Sequence, residues 1–295
     1  PAALVSVTGA SNVTGELLPI AEIVEIAHRH GARVAVDGAQ LIPHGEIDLA
    51  ETGVDYLAFS GHKVYAPFGA GVLAGRRDWL DAAPPYLPGG GAVHEVSTVQ
   101  TKWASAPQRH EGGTPNLVGA ATLADALTTL ARIPLERRAA HERALHARLE
   151  AGLSAIDGVR LPRIWSDSER IGVVCFSGAG YEPGHVASYL SAEHAIGVRD
   201  GRFCAHPLVR RLDLDHEGAL RASLGVGSWR GDVDRIVGAV GQLVDQGSRA
   251  RYEQIGGLWE PRGDDRRAPS WLVGDISAAR PSPCGAICCS MAWAG

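Results

Sequence analysis

The segment "FSGHKVYAPFGAG" (residues 59–71) places a lysine just after an apolar run and just before a glycine-rich turn. Residues 55–60, "DYLAFS", have the composition of a buried strand, so Lys63 is predicted to lie where a strand ends inside a domain. A lysine at such a place can simply extend its side chain to the surface. Alternatively, partial burial lowers the pKa of its amine and lets it form a Schiff base with a carbonyl group.

Strand and helix patterns alternate on both sides of Lys63. Predicted strands cover residues 3–8 (a buried strand), 33–37, 55–60 and 70–75. Residues 19–31 predict a helix, because the segment begins with proline, carries apolar residues at helical spacing and ends at glycine. This order indicates an α/β fold with a mostly parallel sheet, in which ligands bind beyond the carboxyl ends of the strands. Asp37 and the segment 60–63 both fall at such ends.

The rest of the chain divides into a loop region, two long helices and a smaller α/β unit. Residues 84–115 are rich in glycine, proline and polar residues and predict a long loop or hairpin, a kind of segment that often carries function. Predicted helices then cover 117–133, 135–156, 184–194 and about 232–246, and predicted strands cover 171–177 and 220–226. Residues from 248 onward show no clear period and predict a surface tail, disordered towards its end.

Composition places the chain among ordinary globular proteins. It has 295 residues, of which 45% are hydrophobic and 21% charged, and its formal net charge is −5. No basic run points to nucleic acid or to an anionic membrane surface, and no apolar run is long enough to span a bilayer. The five cysteines lack the spacing of a disulfide framework, which favours a reducing, cytoplasmic compartment. The segment "CGAICC" (284–289) has neither a histidine nor a second spaced pair, so no metal site is predicted.

The residues around Lys63 favour a chemical role for it. Ser60 and His62 supply hydrogen-bond donors for a phosphate, and the glycine-rich turn lets the backbone approach a ligand closely. Asp37 ends the neighbouring strand, where a carboxylate can pair with a pyridinium nitrogen. A Schiff-base lysine and an acid on a ring nitrogen are the minimum that pyridoxal phosphate chemistry requires of a protein. Taken singly, Asp37 could cap a strand, and Ser60 and His62 could be ordinary turn residues.

Five motifs occur in order along the chain. They are "VDGAQ" (36–40), "FSGHKVYAPFGAG" (59–71), "EGGTPN" (111–116), "GVRDGRFCAHPL" (197–208) and "RASLGVGS" (221–228). Together they resemble the class V aminotransferase fold of pyridoxal phosphate enzymes and, within it, the cysteine desulfurase and selenocysteine lyase group. The resemblance runs from the first residue to about residue 247.

The resemblance implies a PLP-dependent transferase type I fold. Residues 1–131 would be the remainder of the large cofactor-binding domain, with a mostly parallel sheet that is incomplete at the N-terminus. Residues 132–247 would form a smaller C-terminal α/β domain, and 248–295 a tail. Family members begin well before this chain does, with a phosphate-binding turn and an aromatic residue that stacks on the cofactor. We therefore expect an N-terminally truncated chain that by itself binds pyridoxal phosphate poorly or not at all and could be inactive.

The resemblance also assigns cofactor contacts to matching positions. Lys63 would bind pyridoxal phosphate covalently, and Asp37 would keep its pyridine nitrogen protonated. Gln40 would donate to the phenolate oxygen of the ring, with Asn12 near the same edge. These four residues would thus hold the ring itself.

The phosphate of the cofactor would have its own contacts. Ser60 and His62 would bind it within one subunit. Thr114 of "GGTPN" resembles the threonine that reaches the phosphate of the partner subunit, which implies a homodimer with shared sites.

The substrate residues follow from the two last motifs. Arg221 would bind the carboxylate of an amino acid through a two-point fork, and Arg199 matches a further arginine of the active-site wall. Cys204 lies where these enzymes carry the sulfur-accepting cysteine, so its thiolate would attack the sulfur of L-cysteine, form a persulfide and release L-alanine. Arg202 and His206 flank Cys204 and could lower the pKa of its thiol.

Two alternatives stay open at this point. The chain could belong to another class V enzyme, an aminotransferase or a selenocysteine or carbon–sulfur lyase, in which Cys204 is an inert residue. It could also be a truncated, non-catalytic binding scaffold, against which the intact set of Lys63, Asp37 and Arg221 argues. A sulfur-acceptor protein is a further partner that the desulfurase reading implies. Cys175 lies within a predicted strand and is expected in the core.

Overall fold

The computed structural model of the chain describes residues 2–178, 180–214 and 218–263. Its strands are β1 (Leu4–Thr8), β2 (Arg33–Asp37), β3 (Tyr56–Ser60), β4 (Gly71–Gly75), β5 (Val93–Val96), β6 (Thr101–Trp103), β7 (Val159–Arg160), β8 (Val173–Gly178), β9 (Arg199–Gly201), β10 (Ala219–Ser223), β11 (Tyr252–Ile255) and β12 (Leu258–Pro261). Its helices are α1 (Ile20–Arg29), α2 (Leu49–Thr52), α3 (Arg77–Ala82), α4 (Leu117–Ala131), α5 (Leu135–Ser154), α6 (Pro183–His194), α7 (His206–Arg211) and α8 (Arg230–Gln246), with 3-10 turns at Gly61–Val64 and Gln108–His110. Every segment predicted as a helix or strand contains that element, whereas α2, α3, α7, β7 and β9 are too short for a periodic pattern to predict.

The first sheet has the strand order β1-β2-β3-β4, with β1, β2 and β3 parallel and β4 antiparallel to β3. It is the mostly parallel sheet that the sequence predicts. Thr8 pairs with Asp37, and Asp37 pairs with Ala58, so the three parallel strands end at one edge. The prediction that β1 is buried is wrong: Leu4 and Ser6 are exposed, because β1 pairs only with β2 in the described residues.

Helices α1 and α4 cover one face of this sheet. Val34 and Val36 are buried against α1, and Phe59 packs against side chains of both helices. Burial of each such aliphatic side chain stabilises the fold by roughly 1.5–3 kcal/mol. Because side chains alternate along a strand, Ala58 and Leu73 lie on the opposite face, where both are exposed.

The second sheet has the order β7-β8-β10-β9 and is antiparallel throughout. Helices α5, α6 and α8 cover one of its faces, and Phe176 and Leu220, which pair across β8 and β10, belong to the core that they form. Cys175 and Arg221 are the next pair in register and therefore lie on the opposite face. This sheet and its helices make the smaller α/β unit; the domain boundaries at residues 131 and 247 stay predictions.

An antiparallel hairpin of β11 and β12 follows α8, where the sequence predicts only a tail. Its Trp259 stacks on His185 of α6 with ring centres 4.7 Å apart. Glu193 of α6 accepts hydrogen bonds from the amide of Ala250 at 3.0 Å and from the hydroxyl of Tyr252 at 3.1 Å. Residues 248–263 are thus attached to the smaller unit. Their contacts with α6 order a segment whose many helix- and strand-breaking residues gave no local signal of structure. The predicted disorder lies outside the described residues.

Polar contacts join the surroundings of the two sheets. Glu16 is fully buried and accepts a hydrogen bond from the amide of Ile164 at 2.7 Å. Glu142 of α5 bonds to His44 at 2.7 Å and to the amide of Gly172 at 2.8 Å. A buried carboxylate such as that of Glu16 is stable only with such partners. The contacts of Glu16 and Glu142 therefore fix the first sheet relative to the second. Among the helices of the described ranges, none is long and apolar enough to cross a membrane.

Candidate active site

Three parallel strands end at one edge of the first sheet, and each delivers residues predicted to hold the cofactor. Asn12 lies in the loop after β1, Asp37 ends β2 and Ser60 ends β3. Gln40 and Lys63 lie three residues beyond these last two strand ends. Parallel strands share one direction, so the fold brings all five residues to the same edge.

Asp37 and Ser60 lie on the open face of the sheet. Asp37 is in register with Ala58, and Ser60 is two residues further along β3, so both side chains point away from α1. Asp37 is exposed, and its Oδ1 accepts a hydrogen bond from the amide of Ala39 at 2.9 Å. This bond holds the carboxylate at the strand end.

Lys63 is half-buried in the 3-10 turn that follows β3. Val64, which has no exposed surface, anchors this turn in the core beneath α4. Glycine is required at position 61, because a Cβ on Gly61 would lie 2.9 Å from the carbonyl oxygen of Ala70. The lysine therefore projects from an anchored turn, which favours the chemical role over a flexible surface lysine.

The neighbours of Lys63 make contacts of their own. His62 is exposed and stacks on Phe68, with ring centres 5.1 Å apart. Tyr65 ends the turn with a left-handed φ of 70°, and its hydroxyl accepts a hydrogen bond from the amide of Val226 at 2.9 Å. Tyr65 thus ties the lysine turn to the loop that follows β10.

Thr114 lies exposed in the loop 111–116. The end of this loop is held by Asn116, whose Nδ2 donates to the carbonyl of Gly69 at 3.0 Å and whose Oδ1 caps α4. The loop is therefore fixed to the segment after the lysine turn. The contact of Thr114 with the phosphate of a partner subunit stays a prediction.

Arg199 and Arg221 lie directly opposite each other on β9 and β10. Facing residues of an antiparallel pair lie on the same side of the sheet, and two like charges there repel each other unless an anion lies between or near them. Arg221 Nη1 donates to the carbonyl of Asn12 at 2.9 Å, which brings this pair to the edge of the first sheet. The arrangement suits a carboxylate.

Cys204 lies on the loop between β9 and α7, and its thiol is exposed. Arg199 Nη2 donates to its Sγ at 3.4 Å, so a positive charge lies beside the sulfur. Cys175 is buried, and burial raises the pKa of its thiol to about 12 although the charge of Arg221 lowers it. Cys175 is therefore a core thiol, as the sequence predicts, whereas the thiol of Cys204 is exposed, and its role as the sulfur acceptor stays a prediction.

The donor set at this edge fits pyridoxal phosphate. Lys63 offers an amine for an aldehyde, Asp37 a carboxylate for a protonated ring nitrogen and Ser60 a hydroxyl for a phosphate, all at one edge of the sheet. Within the described ranges, no group of three His, Cys, Asp or Glu side chains is placed to hold a metal ion. The segment "CGAICC" lies outside those ranges.

Phe203 and Tyr65 are contact residues that the sequence does not predict. The carbonyl of Phe203 accepts a hydrogen bond from Asn12 Nδ2 at 2.8 Å, which joins positions 191 residues apart. Its place next to Cys204 is the single local signal, and no pattern in the chain distinguishes it from a packing residue. The same holds for Tyr65, two positions after Lys63.

The chain matches the model of the family "Aminotransferase class-V" over residues 1–236. A probable cysteine desulfurase of Mycolicibacterium paratuberculosis is 40% identical over 245 residues, which are 83% of this chain and 35% of that protein. A cysteine desulfurase of Klebsiella pneumoniae is 37% identical over 241 residues, 81% of this chain and 58% of that protein. The chain thus spans between 35% and 58% of the length of these curated relatives.

Solved structures show the same likeness. The cysteine desulfurase CsdA from Escherichia coli superposes with a TM-score of 0.75 at 36% identity, covering 80% of this chain and 58% of that one. The apo cysteine desulfurase from Thermococcus onnurineus gives 0.76 at 36% identity, with 82% and 60% covered. A variant of the lyase C-DES with glycine linked to its PLP cofactor gives 0.67 at 26% identity, with 81% and 60% covered. The predicted type I fold is confirmed, and the family match together with the PLP-linked C-DES structure supports pyridoxal phosphate as the cofactor.

Proposed function

The chain belongs to the class V aminotransferase family, and on that premise we propose that the complete gene product is a pyridoxal phosphate-dependent cysteine desulfurase. It would convert L-cysteine to L-alanine and leave the sulfur as a persulfide on Cys204. The observation that carries this proposal is an exposed thiol, Cys204, 3.4 Å from Arg199 and on the loop beside Arg221. The cysteine desulfurases that resemble this chain in sequence and fold support it.

The first sheet would hold the cofactor. Lys63 would bind it through its amine, Asp37 would pair with the ring nitrogen, and Ser60 and His62 would bind the phosphate. When bound, pyridoxal phosphate supplies an electron sink next to the α-carbon of the substrate. The amine of Lys63 is then the base that takes the α-proton. Lys63 lies on an anchored turn at the edge of the first sheet where Asp37 and Ser60 also lie.

The second sheet would hold the substrate and attack it. Arg221 binds the substrate carboxylate, and Arg199, which donates to the Sγ of Cys204 at 3.4 Å, holds the sulfur that attacks. The thiolate attacks the substrate sulfur, so an S–S bond forms while the carbon–sulfur bond breaks and its electron pair stays with the carbon. That carbon takes up a proton and leaves as alanine. One cysteine thus gives one alanine and one persulfide sulfur.

The proposal is tested by giving the complete gene product L-cysteine with a reductant and measuring alanine and sulfide together. Equal amounts of both are expected, and Lys63→Ala should abolish both. Lys102 is the other lysine of this sequence, exposed and paired with Glu95, so Lys102→Ala is the matched control and should keep full activity. Borohydride reduction and mass spectrometry should place the cofactor on Lys63; a label on another residue, or none, would reject the proposal.

Cys204→Ala distinguishes the rival functions. Alanine and sulfide release should stop in a desulfurase, whereas an aminotransferase or a carbon–sulfur lyase that works without this thiol keeps its activity. A non-catalytic scaffold would show neither product nor a borohydride-trapped cofactor in the unaltered protein.

We further propose a homodimer whose interface includes the loop 111–116. Leu87, Leu117 and Val118 lie in or next to the loop region and are 65%, 70% and 74% exposed, and clustered exposed apolar side chains mark protein interfaces. Leu117→Asp combined with Val118→Asp should convert dimer to monomer in light scattering, whereas Leu258→Asp on the hairpin should not. An unaltered mass in the double variant would reject this interface.

A sulfur-acceptor protein and a cytoplasmic location complete the proposal. Exposure of Cys204 supports the acceptor, because a second thiol must reach the persulfide sulfur to remove it. The cysteine usage of the chain supports the location, since Cys175 and Cys204 are free thiols. Transfer of labelled sulfur from Cys204 to a low-molecular-weight thiol would test the accessibility on which the acceptor depends.

A further inference from the structure

Phe203 joins three parts of the candidate active site. Its carbonyl accepts the hydrogen bond from Asn12 Nδ2 at 2.8 Å, and the carbonyl of Asn12 accepts one from Arg221 Nη1 at 2.9 Å. The guanidinium carbon of Arg221 lies 5.8 Å from the centre of the Phe203 ring. The next residue is Cys204, whose Sγ lies 3.4 Å from Arg199. One residue therefore contacts the loop after β1, the carboxylate-binding arginine and the loop of the nucleophile.

The backbone at Phe203 adopts a conformation that its surroundings must enforce. Phe203 and Cys204 have φ values of 54° and 58°, in the left-handed region that few residues other than glycine occupy. Consecutive residues of this kind persist where packing over-determines them. The Phe203 ring is 2% exposed and belongs to a buried cluster with Val13, Cys175 and Val209. Its packing is thus the contact that holds the left-handed turn.

We propose that Phe203 is a positioning residue for the desulfurase reaction, an inference that rests on the function proposed above. Its buried ring fixes the turn that sets the Cys204 thiol beside Arg199, and the face of the same ring supports the guanidinium of Arg221. The side chain of Phe203 would then fix the distance between the substrate carboxylate, bound by Arg221, and the attacking sulfur of Cys204. Such fixed geometry raises the rate of attack, because the reacting atoms need not find each other.

The test compares Phe203→Leu with Phe176→Leu in the complete gene product. Phe176 is 1% exposed and lies on the helix-covered face of the second sheet. Phe176→Leu therefore removes a ring that is as buried as that of Phe203 but lies away from the candidate active site. In Phe203→Leu we expect KM for L-cysteine to rise about three- to tenfold, as loss of a cation–π contact predicts. Alkylation of Cys204 by iodoacetamide, followed by peptide mass spectrometry, should slow several-fold at neutral pH. In Phe176→Leu both should stay within twofold of the unaltered protein, about the level of experimental scatter.

The outcomes separate this inference from the function itself. Equal changes in the two variants, or a change in only one of the two measurements for Phe203→Leu, would overturn the positioning role. If the unaltered protein makes no alanine from L-cysteine, the proposed function fails, and the positioning role for that reaction fails with it. If the unaltered protein is an active desulfurase and Phe203→Leu has unchanged kinetics, the positioning role alone is rejected. Should either leucine variant not fold, Phe203→Met and Phe176→Met carry the same expectations, since methionine fills irregular space in a core.

Discussion

Cys175 and Cys204 are both close to an arginine, yet the fold gives them opposite chemical characters. Cys175 faces Arg221 across β8 and β10 and is 3% exposed, and burial raises the pKa of its thiol to about 12. Cys204 lies beside Arg199 and is open to solvent. A neighbouring positive charge therefore does not suffice to make a thiol reactive. Water around the sulfur decides whether the charged form can exist.

The largest expected difference is in alkylation. With a pKa of about 12, only about one Cys175 thiol in ten thousand is ionised at pH 8. In a protein whose Cys284, Cys288 and Cys289 are replaced by serine, iodoacetamide should label Cys204 at least about a thousandfold faster than Cys175. Peptide mass spectrometry measures both rates, and the two should converge in denaturant. Similar rates in the folded protein would remove the contrast.

Replacement by serine should separate the two positions in stability. A hydroxyl at position 175 would be buried among apolar side chains, so Cys175→Ser should lower the free energy of unfolding by about 1–3 kcal/mol. Cys204→Ser at an exposed position should change it by less than about 0.5 kcal/mol. Urea unfolding of both variants gives the values; equal losses would mean that Cys204 is packed like a core residue.

Removal of the charge beside the exposed thiol should have a smaller effect. Arg199→Gln should slow alkylation of Cys204 by about threefold at neutral pH and low salt, because the sulfur loses the charged group that donates a hydrogen bond to it. Arg235→Gln is the matched control, since Arg235 is exposed and bonds to the carbonyl of His194 instead. A loss of the difference between the variants at high salt would support an electrostatic cause, and no difference at low salt would refute it.

A buried histidine, His146, and a half-buried one, His185, extend the comparison to pH. Burial lowers the pKa of His146, although the negative charge of Glu150 raises it. Burial also lowers the pKa of His185, although the charges of Glu182 and Glu193 raise it. Below the ordinary value of 6.5 the unfolded chain then binds more protons than the folded one, so the free energy of unfolding should decrease as the pH falls through this range. Denaturant titrations between pH 5 and pH 8 measure it. His146→Gln should flatten the slope; an unchanged slope would show that this histidine is solvated.

Much of the first sheet could be predicted from local pattern. Asp37 and Lys63 follow apolar runs whose composition marks strands, and parallel strand ends meet at one edge without knowledge of the rest of the chain. The exposure of β1 could not be predicted, because it depends on which strands pair with it. The hairpin of β11 and β12 escaped prediction for a similar reason: its residues become ordered by contact with His185 and Glu193 of a helix more than fifty positions earlier.

The sequence by itself determined the chemistry available to this protein: an amine, a carboxylate and a hydroxyl at strand ends, two arginines, and a thiol three residues after a glycine. Residue types and short-range periodicity carry that information, because the residues next to each other along the chain decide where strands and turns form. Tertiary structure decided which groups meet. The bond between Asn12 and Phe203, the opposition of Arg199 and Arg221, and the unequal burial of Cys175 and Cys204 all depend on distant segments packing together. Burial and charge, which set reactivity, exist only after that packing.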